Sequence, residues 1–439
     1  MKIVNIVPGF GGTFYCGNCL RDSGYTKSLI KLGHDAIMLP IYLPLNFNHD
    51  VEKNEAPIFY GAVSIYMRQN FSLFRNMPKW MERLFNSEWI LRYAAKKAGS
   101  TRTEGLEEMT LSMLNGADGK QKEELQELID FLKHHEKPDV VHLSNALLMG
   151  LAKEIKSQLK IPVVCSLQDE DVWVDAMNDS YKEKTWNLMS EKARDVDAFI
   201  AVSNYYADEM KRKMKIPDSK LHVVHIGIDA DIYKPSEPVF DPPVIGYLSR
   251  MHYENGFDLL IDAYIKLKEF EQFKNVKLKL TGGYTADDKS YINKQIKRLK
   301  KKGILGDVEF IEKFDKESLS DFFSKITVLT VPVLKGEAFG TYQLESLACG
   351  TPLVQPALGA FPEIIETTGG GAFYSPNTAD SLALKWTEIL PEKAKIMEMS
   401  KNGREAILEK YTNSVLTNKI LRVYETVVEN IAKVIAYGI

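Results

Sequence analysis

The 439-residue chain has few cysteines, no long apolar run and almost no net charge. Four cysteines are too few to hold a chain of this length together through disulfides. No stretch of about eighteen consecutive apolar residues occurs, so we expect no membrane-spanning helix. A formal net charge of −3 gives no general attraction to nucleic acid or to an acidic membrane. We therefore expect no nucleic-acid partner.

Sequence signatures of several other protein classes are also missing. Residues 1–7, MKIVNIV, have the length of one strand and lead directly into glycines. A signal peptide needs a longer apolar core and a small-residue cleavage site, so we expect a cytoplasmic protein. The first glycines, Gly9, Gly11 and Gly12, match neither the dinucleotide pattern Gly-x-Gly-x-x-Gly nor a P-loop. Short internal repeats are absent, which excludes a solenoid.

The cysteines suggest packing more than chemistry. Cys165 and Cys349 lie in apolar stretches and are expected in the core. Cys16 and Cys19 form a Cys-x-x-Cys pair, a spacing found in redox and zinc sites as well as in purely structural positions. A zinc site needs further ligands, and neither a second such pair nor a suitable histidine cluster occurs. We expect neither a metal nor a cofactor.

Strand–helix–strand units recur along the chain and predict an α/β fold. Between the two sets, residues 233–243 contain four prolines, which indicates a linker. We expect two Rossmann-like, doubly wound domains that face a central cleft: an N-terminal domain over 1–235, a C-terminal domain over 236–412, and a final amphipathic helix within 413–439 that crosses back to the first domain. Predicted strands are 3–7, 36–39, 139–143, 162–166, 198–202, 244–248, 276–281, 308–311, 328–331 and 353–355, and predicted helices are 22–32, 146–159 and 414–436.

The most informative segment is residues 337–345, EAFGTYQLE, which follows an apolar run at 326–332 that we interpret as a buried parallel strand. Gly340 and Thr341 open the predicted helix, which places Glu337 in the loop and Glu345 early in the helix. Parallel sheets bind ligands at this edge, and a helix N-terminus suits a phosphate. Carboxylates accept hydrogen bonds from hydroxyls. The segment therefore predicts a nucleotide-sugar site, although two glutamates can also lie eight residues apart on any surface helix.

Together with residues 359–363, GAFPE, this segment resembles the donor-site signature of the retaining glycosyltransferases of family 4, the glycosyl transferases group 1 of GT-B fold. The resemblance implies metal-independent transfer from a nucleoside-diphosphate sugar, with the leaving phosphate as the base. It implies that Glu337 grips the sugar and Glu345 holds the ribose. Within the same donor-binding stretch lie Ala338, Phe339, Gly340 and Thr341, of which Phe339 and Gly340 offer backbone N–H groups.

Two further segments resemble the family's phosphate-binding parts. Gly11 and Gly12 are similar to a glycine pair near the distal phosphate, although glycines here also suit a simple turn. Residues 248–256, LSRMHYENG, resemble a strand and loop that normally carry Arg and Lys five positions apart. Arg250 matches the arginine, which binds a diphosphate or alternatively forms a surface ion pair. Asn255 stands at the lysine position, so either the donor phosphates lack a cation there, or His252, Lys335 or a main-chain group substitutes for it.

In the first domain the resemblance is looser. The family often has a histidine near the anomeric carbon, where this chain has Gln168, which can hydrogen-bond a hydroxyl but cannot titrate. Glu337, Arg250 and Gln168 are the predicted catalytic residues. Asp169 and Asp171 are helix-start acids, acceptor contacts or, alternatively, metal ligands. His142 is a core histidine or a catalyst.

The acceptor is the least predictable feature, and a glycan, a lipid and a small molecule all remain open. Residues 67–97 interleave aromatic and basic side chains, which fits either a core helix or peripheral contact with a membrane or a lipid-linked acceptor. Two other functions are compatible with the same scaffold: a non-catalytic nucleotide-sugar-binding protein, and a sugar-phosphate epimerase or phosphorylase. The specific segment from Glu337 to Glu345 argues against an epimerase and against a phosphorylase.

Overall fold

The structure is a computed structural model that describes residues 1–8, 17–42 and 105–437. The chain divides into two compact units. Unit 1 contains the described parts of 1–12, 18–225 and 417–439, and unit 2 contains those of 13–17 and 226–416. The expected boundary at 235 thus lies ten residues beyond the observed one. Four sequence predictions fall outside the described residues: Gly11, Gly12, Cys16 and the segment 67–97.

Unit 1 is built on a parallel sheet with the strand order β2-β1-β3-β4-β5-β6. Strands β3 and β4 have the sequences VVHL and VVCSL and are buried along their whole length. Continuous apolar runs of this kind are typical of parallel strands that are covered on both faces. The strands are β1 (Lys2–Val7), β2 (Asp35–Pro40), β3 (Val140–Leu143), β4 (Val163–Leu167), β5 (Ala198–Ala201) and β6 (Leu221–Val223).

Helices connect these strands, and side-chain caps fix several of their starts. Ser203 Oγ accepts a hydrogen bond from the Tyr206 backbone N–H at 3.0 Å, which satisfies a donor that the helix itself leaves free. The predicted helix over 146–159 begins as a 3-10 turn, Ala146–Leu151, and becomes α-helical at Ala152. The helices are α1 (Gly17–Lys31), α2 (Glu107–Leu114), α3 (Lys122–Phe131), α4 (Ala152–Leu159), α5 (Glu170–Asp175), α6 (Asp179–Lys192) and α7 (Asn204–Met214).

Unit 2 contains a second parallel sheet, in the order β12-β11-β10-β7-β8-β9. Strands β7 and β10 are neighbours, and the chain proceeds outward from them in opposite directions. This arrangement creates a switch point, where open α/β sheets bind ligands. The strands are β7 (Val244–Leu248), β8 (Lys277–Thr281), β9 (Val308–Phe310), β10 (Val328–Leu329), β11 (Leu353–Pro356) and β12 (Gly371–Tyr374), and the helices are α8 (Phe257–Leu267), α9 (Lys289–Lys301), α10 (Lys316–Phe323), α11 (Thr341–Ala348), α12 (Phe361–Thr368), α13 (Ala379–Ile389) and α14 (Lys393–Lys410).

The last helix, α15 (Asn413–Tyr437), belongs to unit 1 from residue 417 onward. Tyr424 on this helix is buried, and its hydroxyl hydrogen-bonds with Nδ1 of His142. Nε2 of His142 hydrogen-bonds with Ser166 Oγ at 2.8 Å. Burial, reinforced by the charge of Arg21, lowers the pKa of His142 to about 3. His142 is therefore a neutral core histidine, as the first of the two interpretations predicted.

Cys165 and Cys349 are free and buried, which confirms their predicted place in the core. No helix among the described residues is both long and apolar enough to span a membrane.

Candidate active site

The segment that carries Glu337 is an extended stretch of chain, residues 330–340, which we call the strap. It leaves the sheet directly after β10. Val331 donates its backbone N–H to the side chain of Gln355 on β11, at 2.8 Å, instead of to a neighbouring strand. The backbone N–H of Leu334 binds the carbonyl oxygen of Glu254 at 2.9 Å. The strap is therefore held from both sides at the carboxyl edge of the sheet.

Glu337 lies at a point where two backbones touch. Its carbonyl oxygen accepts a hydrogen bond from the Ala360 N–H at 3.1 Å. A Cβ atom at Gly359 would lie 2.5 Å from the backbone nitrogen and oxygen of Glu337, so only glycine permits this approach. The Glu337 carboxylate accepts a hydrogen bond from the Tyr342 hydroxyl at 2.6 Å. Both the backbone and the side chain of this acid are fixed.

Helix α11 begins after Gly340, as the sequence predicted, and Gly350 follows its end. No side chain caps its N-terminus. Within the described residues, the N–H groups of Gly340 and Thr341 have no hydrogen-bond acceptor. Ala338 and Phe339 are buried beside this turn. The helix thus presents free donors and the positive end of its dipole next to the strap.

Glu345 lies inside this helix and is only 1% exposed. Its carboxylate accepts a hydrogen bond from the hydroxyl of Tyr233 at 2.6 Å. Burial, and then the charge of Glu345, raises the pKa of the Tyr233 phenol well above its usual value, so the phenol stays a donor. A tyrosine hydroxyl therefore binds each of the two predicted acids.

Arg250 follows β7 and forms an ion pair with a buried acid. Its Nε and Nη2 donate to the Asp288 carboxylate at 2.8 and 3.2 Å, and Nη2 also donates to Thr285 Oγ1 at 2.9 Å. His252 Nδ1 lies 2.7 Å from the same carboxylate. Burial alone would raise the pKa of Asp288, but the hydrogen bonds from Arg250, Thr285 and His252 outweigh it and hold that pKa at about 2. Asp288 is therefore ionised and holds both cationic side chains in place.

Asn255 helps to close the loop that carries Arg250. Its side-chain nitrogen donates to the backbone oxygen of Arg250 at 2.9 Å, and Tyr247 donates its hydroxyl to the same oxygen at 3.0 Å. A Cβ atom at Gly256 would lie 1.7 Å from the carbonyl oxygen of Pro332, so this loop and the strap are in direct backbone contact. The two segments meet at the switch point between β7 and β10.

Lys335 lies close to the position where the sequence lacks a cation. The hydrogen bond between Leu334 and Glu254 brings together the residues that immediately precede Lys335 and Asn255. The Lys335 side chain is exposed, and it forms no ion pair with any described residue. Lys335 therefore lies next to the loop that carries Asn255.

Gln168 lies at the carboxyl end of β4 in unit 1 and is 6% exposed. Its Nε2 donates to the backbone oxygen of Ser144 at 2.7 Å, and its backbone N–H donates to Glu170 at 2.7 Å. Among the described residues, neither the buried amide oxygen Oε1 nor the buried hydroxyl oxygen of Ser144 has a hydrogen-bond partner.

Glu170 fixes the loop around Gln168. Its carboxylate accepts hydrogen bonds from the Ala146 N–H and the Tyr206 hydroxyl, both at 2.8 Å. Burial raises the pKa of Glu170 to about 7, although these bonds act in the opposite direction. Asp169 stands at the start of α5, and Asp171 accepts a hydrogen bond from Tyr206 at 2.9 Å, so their place as helix-start acids is confirmed. The described residues contain no group of three or more His, Cys, Asp or Glu side chains suited to a metal ion.

Four residues that hold the candidate site residues in place were not predicted from the sequence: Asp288, Tyr233, Tyr342 and Glu170. Only Asp288 had a local signal. Thr285 and Asp288 form a capping box, in which each side chain binds the other's backbone, and the spacing Thr-x-x-Asp before an amphipathic stretch is its known signature.

Comparisons with known proteins agree with this architecture. A sequence profile of the family Glycosyl transferases group 1 matches residues 230–406, and one of Glycosyltransferase Family 4 matches residues 120–232. The MMP alpha-(1->4)-mannosyltransferase of Mycolicibacterium hassiacum is 24% identical over 306 residues, which cover 67% of this chain and 72% of that protein.

Two solved structures have a similar fold. Sucrose-phosphate synthase from Thermosynechococcus elongatus superposes with a TM-score of 0.68 at 16% identity, over 97% of this chain and 99% of that one. Anabaena Alr3699/HepE in complex with UDP-glucose superposes with a TM-score of 0.66 at 14% identity, over 97% and 100% of the two chains.

The fold is the two-domain α/β fold named GT-B, with one parallel sheet in each domain. Residues 230–406 thus match the glycosyl transferases group 1 and residues 120–232 Glycosyltransferase Family 4, and the chain is a glycosyltransferase.

Proposed function

We propose that this protein transfers a sugar from a nucleoside-diphosphate sugar to an acceptor hydroxyl, with retention of the anomeric configuration and without a metal ion held by the protein. One observation carries the proposal. The loop with Arg250 and the strap with Glu337 leave adjacent strands at the switch point of the unit 2 sheet, where such sheets bind nucleotides. The similar fold of HepE, which was solved with UDP-glucose, supports the same ligand class.

Positive charge for the diphosphate comes from Arg250 and from the start of α11. The guanidinium is oriented by Asp288, and its Nη1 donates to no acceptor among the described residues. Nη1 is therefore the guanidinium nitrogen that remains able to donate to a phosphate oxygen. The free N–H groups at Gly340 and Thr341 add the partial charge of the helix dipole. Together they stabilise the leaving nucleoside diphosphate in the role that a metal ion has elsewhere.

Lys335 supplies the further cation in this proposal, because it lies beside Asn255 and has no ion-pair partner in the described part of the chain. Gly11 and Gly12 are assigned to the distal phosphate by the family resemblance alone.

The two acids bind hydroxyls. Each carboxylate offers about four lone-pair sites. The hydrogen bonds from Tyr342 and Tyr233 orient Glu337 and Glu345. We assign Glu337 to the donor sugar and Glu345 to the ribose. Both groups are already fixed before the donor arrives, which reduces the ordering that binding requires.

In the reaction, the bond between the anomeric carbon and the phosphate oxygen breaks, and a bond to the acceptor oxygen forms on the same face. The leaving phosphate takes the acceptor's proton, so no cofactor is needed. In unit 1, we assign the buried oxygen of Gln168 to a substrate hydroxyl, since it has no hydrogen-bond partner among the described residues and gains most from a donor.

Product analysis tests the proposal. The purified protein is incubated with UDP-, GDP- and ADP-sugars and a cell extract, and products are identified by mass spectrometry, with the anomeric configuration read by NMR. We expect a glycoside with the anomeric configuration of the donor, and its loss in Glu337→Ala. Glu405→Ala, an exposed acid on α14, is the matched control and should stay active. An inverted product, or full activity of Glu337→Ala, contradicts the assignment.

A further inference from the structure

His252 shares a buried carboxylate with Arg250. The Asp288 side chain is 2% exposed, whereas those of Arg250 and His252 are 18% and 36% exposed. Asp288 Oδ1 accepts from His252 Nδ1 at 2.7 Å and from Arg250 Nη2 at 3.2 Å. Oδ2 accepts from Arg250 Nε, and it also accepts from the backbone and hydroxyl of Thr285. One acid therefore orients two side chains that point out of the same loop after β7.

This contact fixes the hydrogen-bonding role of each imidazole nitrogen. Asp288 is ionised, because its pKa is held at about 2, and an ionised carboxylate only accepts hydrogen bonds. The proton of a neutral His252 therefore lies on Nδ1. Nε2 has no hydrogen-bond partner among the described residues, and the side chain is partly exposed. A proton added to Nε2 would turn it into a donor with a positive charge.

Acidic side chains outnumber cationic ones by four to two in the loops around His252, before a ligand binds. Its own loop carries Arg250 and Glu254, the next loop carries Asp287 and Asp288, and the strap carries Lys335 and Glu337, as the sequence of these loops shows. The single charge of Asp288 is already matched by Arg250. A diphosphate brings at least two further negative charges, which favour the protonated form of a nearby histidine.

We propose that His252 is a further phosphate-binding residue of the donor site, that it takes up one proton as the diphosphate binds, and that Asp288 is its positioning residue. The inference rests on the proposed function. The proton comes from the solvent and adds to Nε2, which then donates a hydrogen bond to a phosphate oxygen. No other bond changes. A histidine two residues after Arg250 thus does part of the work that the family assigns to a lysine.

Calorimetry measures this proton directly. UDP, GDP and ADP are titrated into the full-length protein at about pH 8 in buffers of different ionisation enthalpy, where free histidine is mostly neutral. The slope of binding enthalpy against buffer ionisation enthalpy gives the number of protons taken up. A phosphate's second pKa is about 6, so the nucleotide itself is already ionised and contributes none.

We expect an uptake approaching one proton per bound nucleotide in the wild type, and an affinity that falls up to tenfold per pH unit above neutrality. His252→Asn, at a partly exposed position, should abolish the uptake and bind about fivefold more weakly. His134→Asn, which changes an exposed histidine of unit 1, should behave as the wild type.

Each of the following results would contradict the inference, in whole or in part. Binding without proton uptake, or an unchanged uptake in His252→Asn, overturns the role of His252 and leaves the proposed function intact. If none of the three nucleotides binds, both fail together. Uptake that persists at full strength in Asp288→Asn, with the fold preserved, removes Asp288 from its positioning role.

Discussion

Tyr233→Phe tests whether the buried acid of α11 serves the ligand. The substitution removes one hydroxyl, which donates to the Glu345 carboxylate at 2.6 Å. Because Glu345 is 1% exposed, water cannot replace the lost donor easily. A hydrogen bond to a charged group contributes about 1.5–3 kcal/mol, so we expect the free energy of unfolding of unit 2 to fall by about 2 kcal/mol. The carboxylate also loses the group that orients it, and nucleotide affinity should fall roughly tenfold.

Urea unfolding measures the first effect and calorimetric nucleotide titration the second. Tyr264→Phe is the matched control, since the Tyr264 hydroxyl donates to the backbone oxygen of Val276 at 2.8 Å, in the same unit. It removes a neutral hydrogen bond, so it should cost about 1 kcal/mol of stability and leave nucleotide affinity unchanged. If Tyr233→Phe lowers stability but not affinity, Glu345 is only a structural acid and its assignment to the ribose is wrong.

Three further predictions follow from the same contacts. Activity should survive EDTA, because Arg250 and the α11 N-terminus neutralise the diphosphate; a loss that manganese or magnesium restores would contradict this. Lys335→Ala should weaken nucleotide binding about fivefold, whereas Asn255→Lys should bring little gain in affinity because Lys335 already supplies a cation. If calorimetry shows unchanged affinity in Lys335→Ala and a gain in Asn255→Lys, Lys335 does not replace the lysine that the family has at the position of Asn255. Burial raises the pKa of Glu170 from 4.5 to about 7, so the folded protein retains a proton that the unfolded chain releases. Stability should therefore fall by roughly 3 kcal/mol as pH rises through this interval, and Glu170→Gln should remove that slope in urea unfolding; a wild type whose stability does not fall over this range would refute it.

Hydrophobic runs predicted most strands of both sheets, because strands buried on both faces leave a continuous apolar signal. The apolar run at 326–332 predicts a longer strand than the structure contains, because only Val328–Leu329 form β10. Thr330 still donates to Gly246 on β7, but Val331 donates to a glutamine side chain and Pro332 has no N–H to donate. Apolar character continues past the last ladder bond because the first residues of the strap, 330–333, are themselves buried. Strands β6 and β12 are short or half-exposed, and their sequences carry too weak a signal.

In the candidate site, the sequence predicted where Glu337 and Glu345 lie but not what holds them. The loop-then-helix placement follows from local residues, above all Gly340. The partner of Glu345 is Tyr233, 112 residues earlier, and that of Arg250 is Asp288, 38 residues later. Such contacts exist only once the strands are in order. A single sequence has no pattern that indicates which tyrosine binds Glu345 or which aspartate binds Arg250.

The backbone contacts of the strap have a consequence for how this enzyme can diversify. Gly359 and Gly256 press against it from its two sides, and main-chain hydrogen bonds to Glu254 and Ala360 fix its course. The side chain of Gln355 also holds the strap, and that of Tyr342 orients its acid. Neighbouring residues that make none of these contacts can therefore exchange during evolution without displacing that acid. Substitution of either glycine, in contrast, should abolish activity with any donor.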